Sequence, residues 1–166
     1  MMMLTLGVAL WSIAHLFKRL APAARDRMGD LGKLVVTVAL VGSLVMMVAG
    51  YQTASGPVWW VRQPLSVSIS NVLMLLAFYL MVASSLKVRI TSMVRHPQLT
   101  AIKAWSVSHL LVNGDLPSLV LFGGLLVWAV VSVILINRQD GKNAMATSDI
   151  GWLKEALVIG VTVGLY

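Results

Sequence analysis

The sequence predicts an all-α protein: a polytopic transmembrane helix bundle of about six spans, N-terminus outside, forming a single domain over residues 1–166. Three observations carry this reading. Of 166 residues, 58% are hydrophobic and 11% charged, with a mean hydropathy of +0.86. A soluble domain carries roughly 25% charged residues, so there is too little polar surface here to cover a globule in water. Apolar runs of helical length recur along the whole chain, and the basic residues fall between them.

The runs are residues 4–20, 34–51, 65–86, 99–112, 116–136 and 152–166. A bilayer core of ~30 Å needs about 20 helical residues, which the second, third and fifth runs supply and the first approaches. Met1 to Met3 extend that first run. The fourth is short, and the sixth stops on Tyr166 without a polar end. Each crosses only if the bilayer thins, its flanks snorkel or the helix continues. A last helix without a charged or amphipathic cap predicts further residues beyond Tyr166.

Six crossings put twelve of the thirteen Lys and Arg residues on one side. They are Lys18, Arg19, Arg25, Arg27 and Lys33 after the first run; Lys87, Arg89, Arg95 and Lys103 after the third; and Arg138, Lys142 and Lys154 after the fifth. Arg62 alone takes the other side. The positive-inside rule makes the rich side cytoplasmic, and dropping the fourth span would strand Arg138 and Lys142 outside. The net charge of +7 is therefore topological and does not point to nucleic acid. A cleaved signal peptide has its basic residues before the apolar run, whereas here Lys18 and Arg19 follow it. Trp59 and Trp60 suit an interfacial belt, and Gly56-Pro57 marks a turn.

Polar side chains inside spans are costly, so they form the short list of functional candidates. They are His15; Ser66, Ser68, Ser70 and Asn71; Tyr79; and His109 with Asn113. The Ser and Asn residues read first as interhelical hydrogen-bond partners. The two histidines occur in matching stretches, WSIAHL from Trp11 and WSVSHL from Trp105, each placing a tryptophan four residues before the histidine on one helix face. A true inverted repeat would mirror the histidines across the midplane. Imidazole ligates haem b without any cysteine attachment, and the chain has no cysteine. Such a haem predicts His15 and His109 as iron ligands, Trp11 and Trp105 beside the macrocycle, and Arg95, Lys103, Lys18 and Arg19 near the propionates. Those cations equally suit lipid headgroups. With Lys18 and Lys103 as boundary markers, His15 lies ~5 Å and His109 ~9 Å inward. With the boundary at Pro97, the gap exceeds roughly 10 Å and a shared iron becomes awkward. His96, in Arg95-His96-Pro97, reads as a third ligand, a proton carrier, an anion contact or an exposed interfacial residue. Gly160 and Gly164 form a GxxxG packing pattern. No phosphate loop, dinucleotide fingerprint or HExxH is present, and Asp26, Asp30, Asp115, Asp140, Asp149 and Glu155 offer no mid-span carboxylate pair.

The stretch RHPQLTAIKAWSVSHLLVNGDLPSLVLFGG, residues 95–124, resembles the core signature of the NnrU family of membrane proteins. His15, followed by basic residues, Ala21-Pro22 and Arg25, is similar to that family's opening, so the resemblance covers roughly residues 4–138. It implies an association with denitrification, in nitrite and nitric oxide metabolism, and a relation to zeta-carotene isomerase, a membrane protein with haem b. Carried over by motif, the isomerase's histidine ligands fall on His15 and His109, which implies isomerase-like redox chemistry on a small or lipophilic substrate in a bacterial inner membrane. The RHP element is also similar to one in isoprenylcysteine and phospholipid methyltransferases that use S-adenosylmethionine. Here Leu99 and Ala101 depart from that pattern, RHPxYxG, and no later glutamate pair follows. Any exchange of a haem ligand to sulfur would have to use methionine. Besides the lipid bilayer, a non-catalytic reading expects partner subunits of a respiratory or photosynthetic complex, with the Ser/Asn face of the third run and Gly160/Gly164 as contacts.

Overall fold

The computed structural model describes residues 1–86, 88–140 and 152–165; Lys87, Lys142, Asp149 and Tyr166 lie outside the described residues. The chain folds as α1 (Met2–Leu20), α2 (Pro22–Arg27), α3 (Gly29–Thr53), α4 (Pro64–Leu86), α5 (Ile90–Met93) and α6 (Pro97–Val112). A continuous rod from Leu116 to Asp140 follows, built of α7 (Leu116–Ser118), a π-helical segment (Leu119–Gly123) and α8 (Gly124–Asp140); α9 (Trp152–Leu165) comes last. Among the described residues, α1, α3, α4 and the Leu116–Asp140 rod are long and apolar enough to cross a membrane. The fourth and sixth apolar runs form α6 and α9, at 16 and 14 residues the shortest of the six runs in helical form.

Chain chemistry sets the helix starts. Pro22, Pro64, Pro97 and Pro117 stand in first turns, where a missing N–H costs nothing. Asp115 caps the rod, accepting from the Ser118 N–H at 2.8 Å and from its hydroxyl at 3.0 Å. The Tyr51 hydroxyl donates in turn to Ser118 at 2.8 Å, tying α3 to this cap. Gly29, at φ +51°, makes the turn between α2 and α3.

Two hairpins, α1–α3 and α4–α6, stand side by side with α8 packed behind both. Small residues let α1 and α3 approach closely: a Cβ on Gly7 would lie 2.9 Å from the Met47 nitrogen, and one on Gly50 2.5 Å from the Leu4 nitrogen. The second hairpin is closed by hydroxyls. Ser70 Oγ bonds the Ser108 carbonyl at 3.0 Å, Ser108 Oγ bonds the Ser70 carbonyl at 2.9 Å, and the two oxygens are 2.7 Å apart, all buried. Ser66 and Ser68 instead bond carbonyls of their own first turn, Gln63 and Pro64. Asn71 is exposed.

One end of the bundle carries most of the described basic residues. There Arg19 grips Asp140 with two bonds of 2.7 and 3.0 Å, Gln139 Nε2 donates to the Arg19 carbonyl at 2.8 Å, and His96 Nε2 donates to Asn137 Oδ1 at 2.9 Å. These bonds bring the end of α1 and the start of α6 onto the last turn of α8. At the far end the connection after α3 crosses the start of the rod. Trp59 N–H bonds the Gly114 carbonyl at 2.8 Å, and Leu116 N–H bonds that of Pro57 at 3.0 Å. Trp60, expected in an interfacial belt, is 40% exposed and uses its indole N–H to bond the Leu110 carbonyl of α6 at 2.9 Å. α9 leans on α4 around Ala83, Val88 and Val158, and Glu155 accepts from the Arg89 N–H at 2.8 Å. Gly160 and Gly164 face open space, so their GxxxG packs against nothing among the described residues.

Gly50→Ala is expected to destabilise the protein by about 1–3 kcal/mol, because the added methyl runs into Leu4 backbone atoms that cannot move aside. Gly160→Ala meets open space and should stay within about 0.5 kcal/mol. Thermal unfolding of both variants in detergent checks the pair.

Candidate functional site

The close packing within each hairpin leaves space between them. A cavity of about 340 Å³ is lined by Trp11 of α1, Leu44 and Met47 of α3, Met74, Ala77, Phe78 and Met81 of α4, Ala101, Ile102 and Trp105 of α6, and Leu125 and Trp128 of α8. No lining residue is charged, and the exposed Leu44 and Met81 stand where α3 and α4 face lipid. Toward the basic end a second cavity of about 480 Å³ adjoins it, sharing Met81, Ile102 and Trp128 and adding His15, Leu16, Arg19, Gln98, Leu99, Ser132 and Ile136. Together they form an apolar chamber with a polar mouth.

The twin motifs meet at this chamber. Each tryptophan packs on its own histidine as the four-residue spacing requires, with ring centroids 4.1 Å apart for Trp11–His15 and 5.0 Å for Trp105–His109. Because α1 and α6 run in opposite directions, the motifs are mirrored in depth. Counted from the basic ends of the helices, Trp11 lies ~14 Å and Trp105 ~12 Å in, and both line the upper cavity. On the same count His15 lies ~8 Å in and His109 ~18 Å.

The histidines therefore sit in two different aromatic clusters. His15 packs on Trp11 and on Trp128, the latter at 4.8 Å. His109 packs on Trp105 and lies flat on Phe122 at 4.2 Å with 2° between the planes. Measured along the Leu116–Asp140 rod, the contact residues Trp128 and Phe122 are ~9 Å apart, which agrees with the offset counted on α1 and α6. Side chains lean toward helix N-termini, so the two rings tilt toward each other. Even so, His109 lines neither cavity, whereas His15 lines the second, toward the basic end. The two imidazoles thus have different ring neighbours, and α6, starting at Pro97, carries His109 twelve residues into the bundle.

The His15 Nδ1–H donates to the Trp11 carbonyl at 3.1 Å, which leaves Nε2 as the lone-pair nitrogen. Metal-binding histidines commonly have one ring nitrogen fixed in this way. At the mouth, Arg19 is the cation of the expected set that lines the cavity. Lys18 belongs to a separate polar cleft with Arg25, Asp26, Asp30 and Lys33, while Arg95 and Lys103 line neither cavity. His96 is engaged with Asn137 and joins α6 to α8. Asn113 turns back to the His109 carbonyl at 2.9 Å. Tyr79 packs beside the α4–α9 contact. The residues present thus line a space with an apolar body, a polar mouth and one imidazole in its wall.

Trp128, Phe122 and Met81 carry no sequence signal of their own, since each is an apolar residue in an apolar run and the serines at helical spacing, Ser132, Ser118 and Ser84, do not mark which way it faces. Trp128 is 8% exposed and touches both cavities and the main core, yet its indole N–H has no hydrogen-bond partner, and neither has that of Trp11. The Asp115-Leu116-Pro117-Ser118 stretch carries a helix-start signal, an N-cap followed by proline in the first turn.

Comparison with known families matches residues 3–166 to the one described as NnrU protein. No curated protein and no solved structure matches the chain.

Trp128→Ala is expected to cost about 3–5 kcal/mol, as for other large aromatic truncations in a core. Trp128→Phe should cost less than half of that, because its buried N–H forms no bond to lose. Unfolding of the two variants in the same detergent reads the difference.

Proposed function

The chain belongs to the NnrU family, and from that premise we propose that it is an integral membrane protein holding haem b on His15, beside an apolar cavity that takes a lipophilic or small substrate. The reading places it in a bacterial inner membrane with its N-terminus outside and its basic end in the cytoplasm. It serves redox or isomerase-like chemistry associated with denitrification, in nitrite and nitric oxide metabolism. The isomerase side of this rests on the resemblance to zeta-carotene isomerase.

The supporting observation is the His15 arrangement: an imidazole on the wall of an apolar chamber with Nδ1–H committed to the Trp11 carbonyl. That bond fixes the tautomer and ring orientation, so no rotamer freedom is lost when Nε2 takes a metal. Trp11, Trp105 and Trp128 wall the chamber with large apolar rings. Gln98 stands at the mouth as a donor for a polar edge, beside Arg19, whose two parallel bonds are held by Asp140. Bound there, haem b would supply an iron centre for electron transfer and for small ligands. Leu44, Met47 and Phe78 give a lipophilic molecule in the bilayer an apolar path to the same chamber.

A second reading, an accessory subunit of a membrane complex, draws on Gly160 and Gly164, whose small-residue face is open for another helix. Migration as a single species in mild detergent, with a chromophore retained, counts against it. Methyl transfer draws least support. Ala101 is buried in α6, Leu99 packs against the core, and His96 is held by Asn137.

Protein produced with ample haem should show a Soret band and a pyridine haemochrome of the b type at close to one haem per chain. His15→Ala is expected to lower occupancy at least tenfold, whereas His109→Ala should retain most of it. A colourless wild-type protein sinks the haem reading.

A further inference from the structure

We propose that the cleft at the elbow between α1 and α3 seats the headgroup of a zwitterionic aminophospholipid, with the phosphate on Lys18 and Arg25 and the ammonium on Asp26. The cleft measures about 340 Å³, is lined by Lys18, Arg25, Asp26, Gly29, Asp30 and Lys33, and shares no residue with the chamber that holds His15. Lipid binding there is independent of any group on His15.

Three helices supply the charges. Lys18 stands in the last turn of α1, Arg25 and Asp26 lie in α2, and Asp30 and Lys33 open α3. Asp30 and Lys33 neutralise each other at 2.7 Å. Arg25 is held in place: its Nη1 donates to the Gly29 carbonyl at 3.0 Å, and a Cβ on Gly32 would come within 2.8 Å of the same nitrogen. Its other N–H groups, the Lys18 ammonium and the Asp26 carboxylate form no hydrogen bond or ion pair with any described residue. Two cations and a carboxylate thus line one cleft without pairing among themselves.

A phosphoethanolamine group carries its two charges across an ethylene link and offers one to each pole. The phosphate suits a guanidinium fork and a lysine point charge, and the ammonium N–H groups donate to a carboxylate. An anionic phosphodiester without an amine would set its charge against Asp26, and a lone metal cation would meet Lys18 and Arg25. The face of α3 that leads away from the cleft suits a lipid in particular. Lys33, Thr37, Val41, Leu44 and Val48 recur at intervals of three and four, share one face and are all exposed. An acyl chain hanging from the headgroup has an apolar track along that face. Both α1 and α3 are long and apolar enough to cross a membrane, so the cleft at their joined ends lies at headgroup level.

The test titrates delipidated protein in neutral detergent with phosphatidylethanolamine, phosphatidylglycerol and phosphatidylcholine of matched chains, and counts adducts by native mass spectrometry. Phosphatidylethanolamine is expected to bind about fivefold tighter than either of the others, and Lys18→Gln and Arg25→Gln should each weaken it about fivefold. Asp26→Asn should bring it down to the level of phosphatidylglycerol, while Lys154→Gln, outside the cleft, should change nothing. Lys18 and Asp26 are exposed and Arg25 is half-buried, so the fold should hold, which thermal unfolding in the same detergent checks. Glycerophosphoethanolamine, the headgroup without chains, should fail to displace the bound lipid. Phosphatidylglycerol bound as tightly as phosphatidylethanolamine, a preference that survives Asp26→Asn, or the absence of any lipid adduct overturns the site. Displacement by the free headgroup at equal concentration overturns the lipid as its occupant.

Discussion

Between helices in lipid there is no water to expel, so a helix pair is held by how closely its backbones approach and by the hydrogen bonds it can make. This chain spends those interactions within two hairpins. Gly7 and Gly50 set the α1–α3 distance by admitting Met47 and Leu4 backbone where any Cβ would collide. Ser70 and Ser108 close α4 on α6 with reciprocal bonds between buried hydroxyls and carbonyls. α3 carries a row of lipid-facing Val and Leu residues, and no comparable clasp joins it to α4 among the described residues. The hairpins are therefore joined by α8 behind them and by the bonds at the bundle ends, and the chamber is what remains between.

The end bonds keep that chamber from collapsing. Arg19 to Asp140 and His96 to Asn137 fasten α1 and α6 to one turn of α8 at the basic end. Trp60 and the Asp115 cap fasten the other. An exposed pair such as Arg19–Asp140 contributes little to stability alone. Its value is positional, since it sets where α1 ends relative to α8 and so the height at which His15 faces Trp128.

Much of this was legible in the sequence, and the part that was not has a common cause. The apolar runs, the proline starts and the i,i+4 packing of Trp11 on His15 and Trp105 on His109 all follow from local periodicity. The mirror relation of the two motifs was legible as well, since consecutive spans alternate in direction. What periodicity cannot supply is the phase between helices. Taking Lys103 as the boundary puts His109 ~9 Å inward and taking Pro97 puts it ~18 Å inward, and the helix begins at Pro97. Trp128 and Met81 escaped notice for the related reason that an apolar residue in an apolar run gives no sign of whether it faces lipid, core or cavity. Conversely, Ser70 was correctly placed among interhelical bonds, while Ser66 and Ser68, equally polar, satisfy only their own helix.

Polarity separates the two cavities. A charged group cannot sit in hydrocarbon, where an unpaired charge costs several kcal/mol or more. The cavity toward the basic end has Arg19 and Gln98 at its mouth and so tolerates polar chemistry. The other has no charged residue in its wall and suits only apolar matter. The two meet at Met81, Ile102 and Trp128, so the chamber passes from apolar to polar along its length toward the basic end.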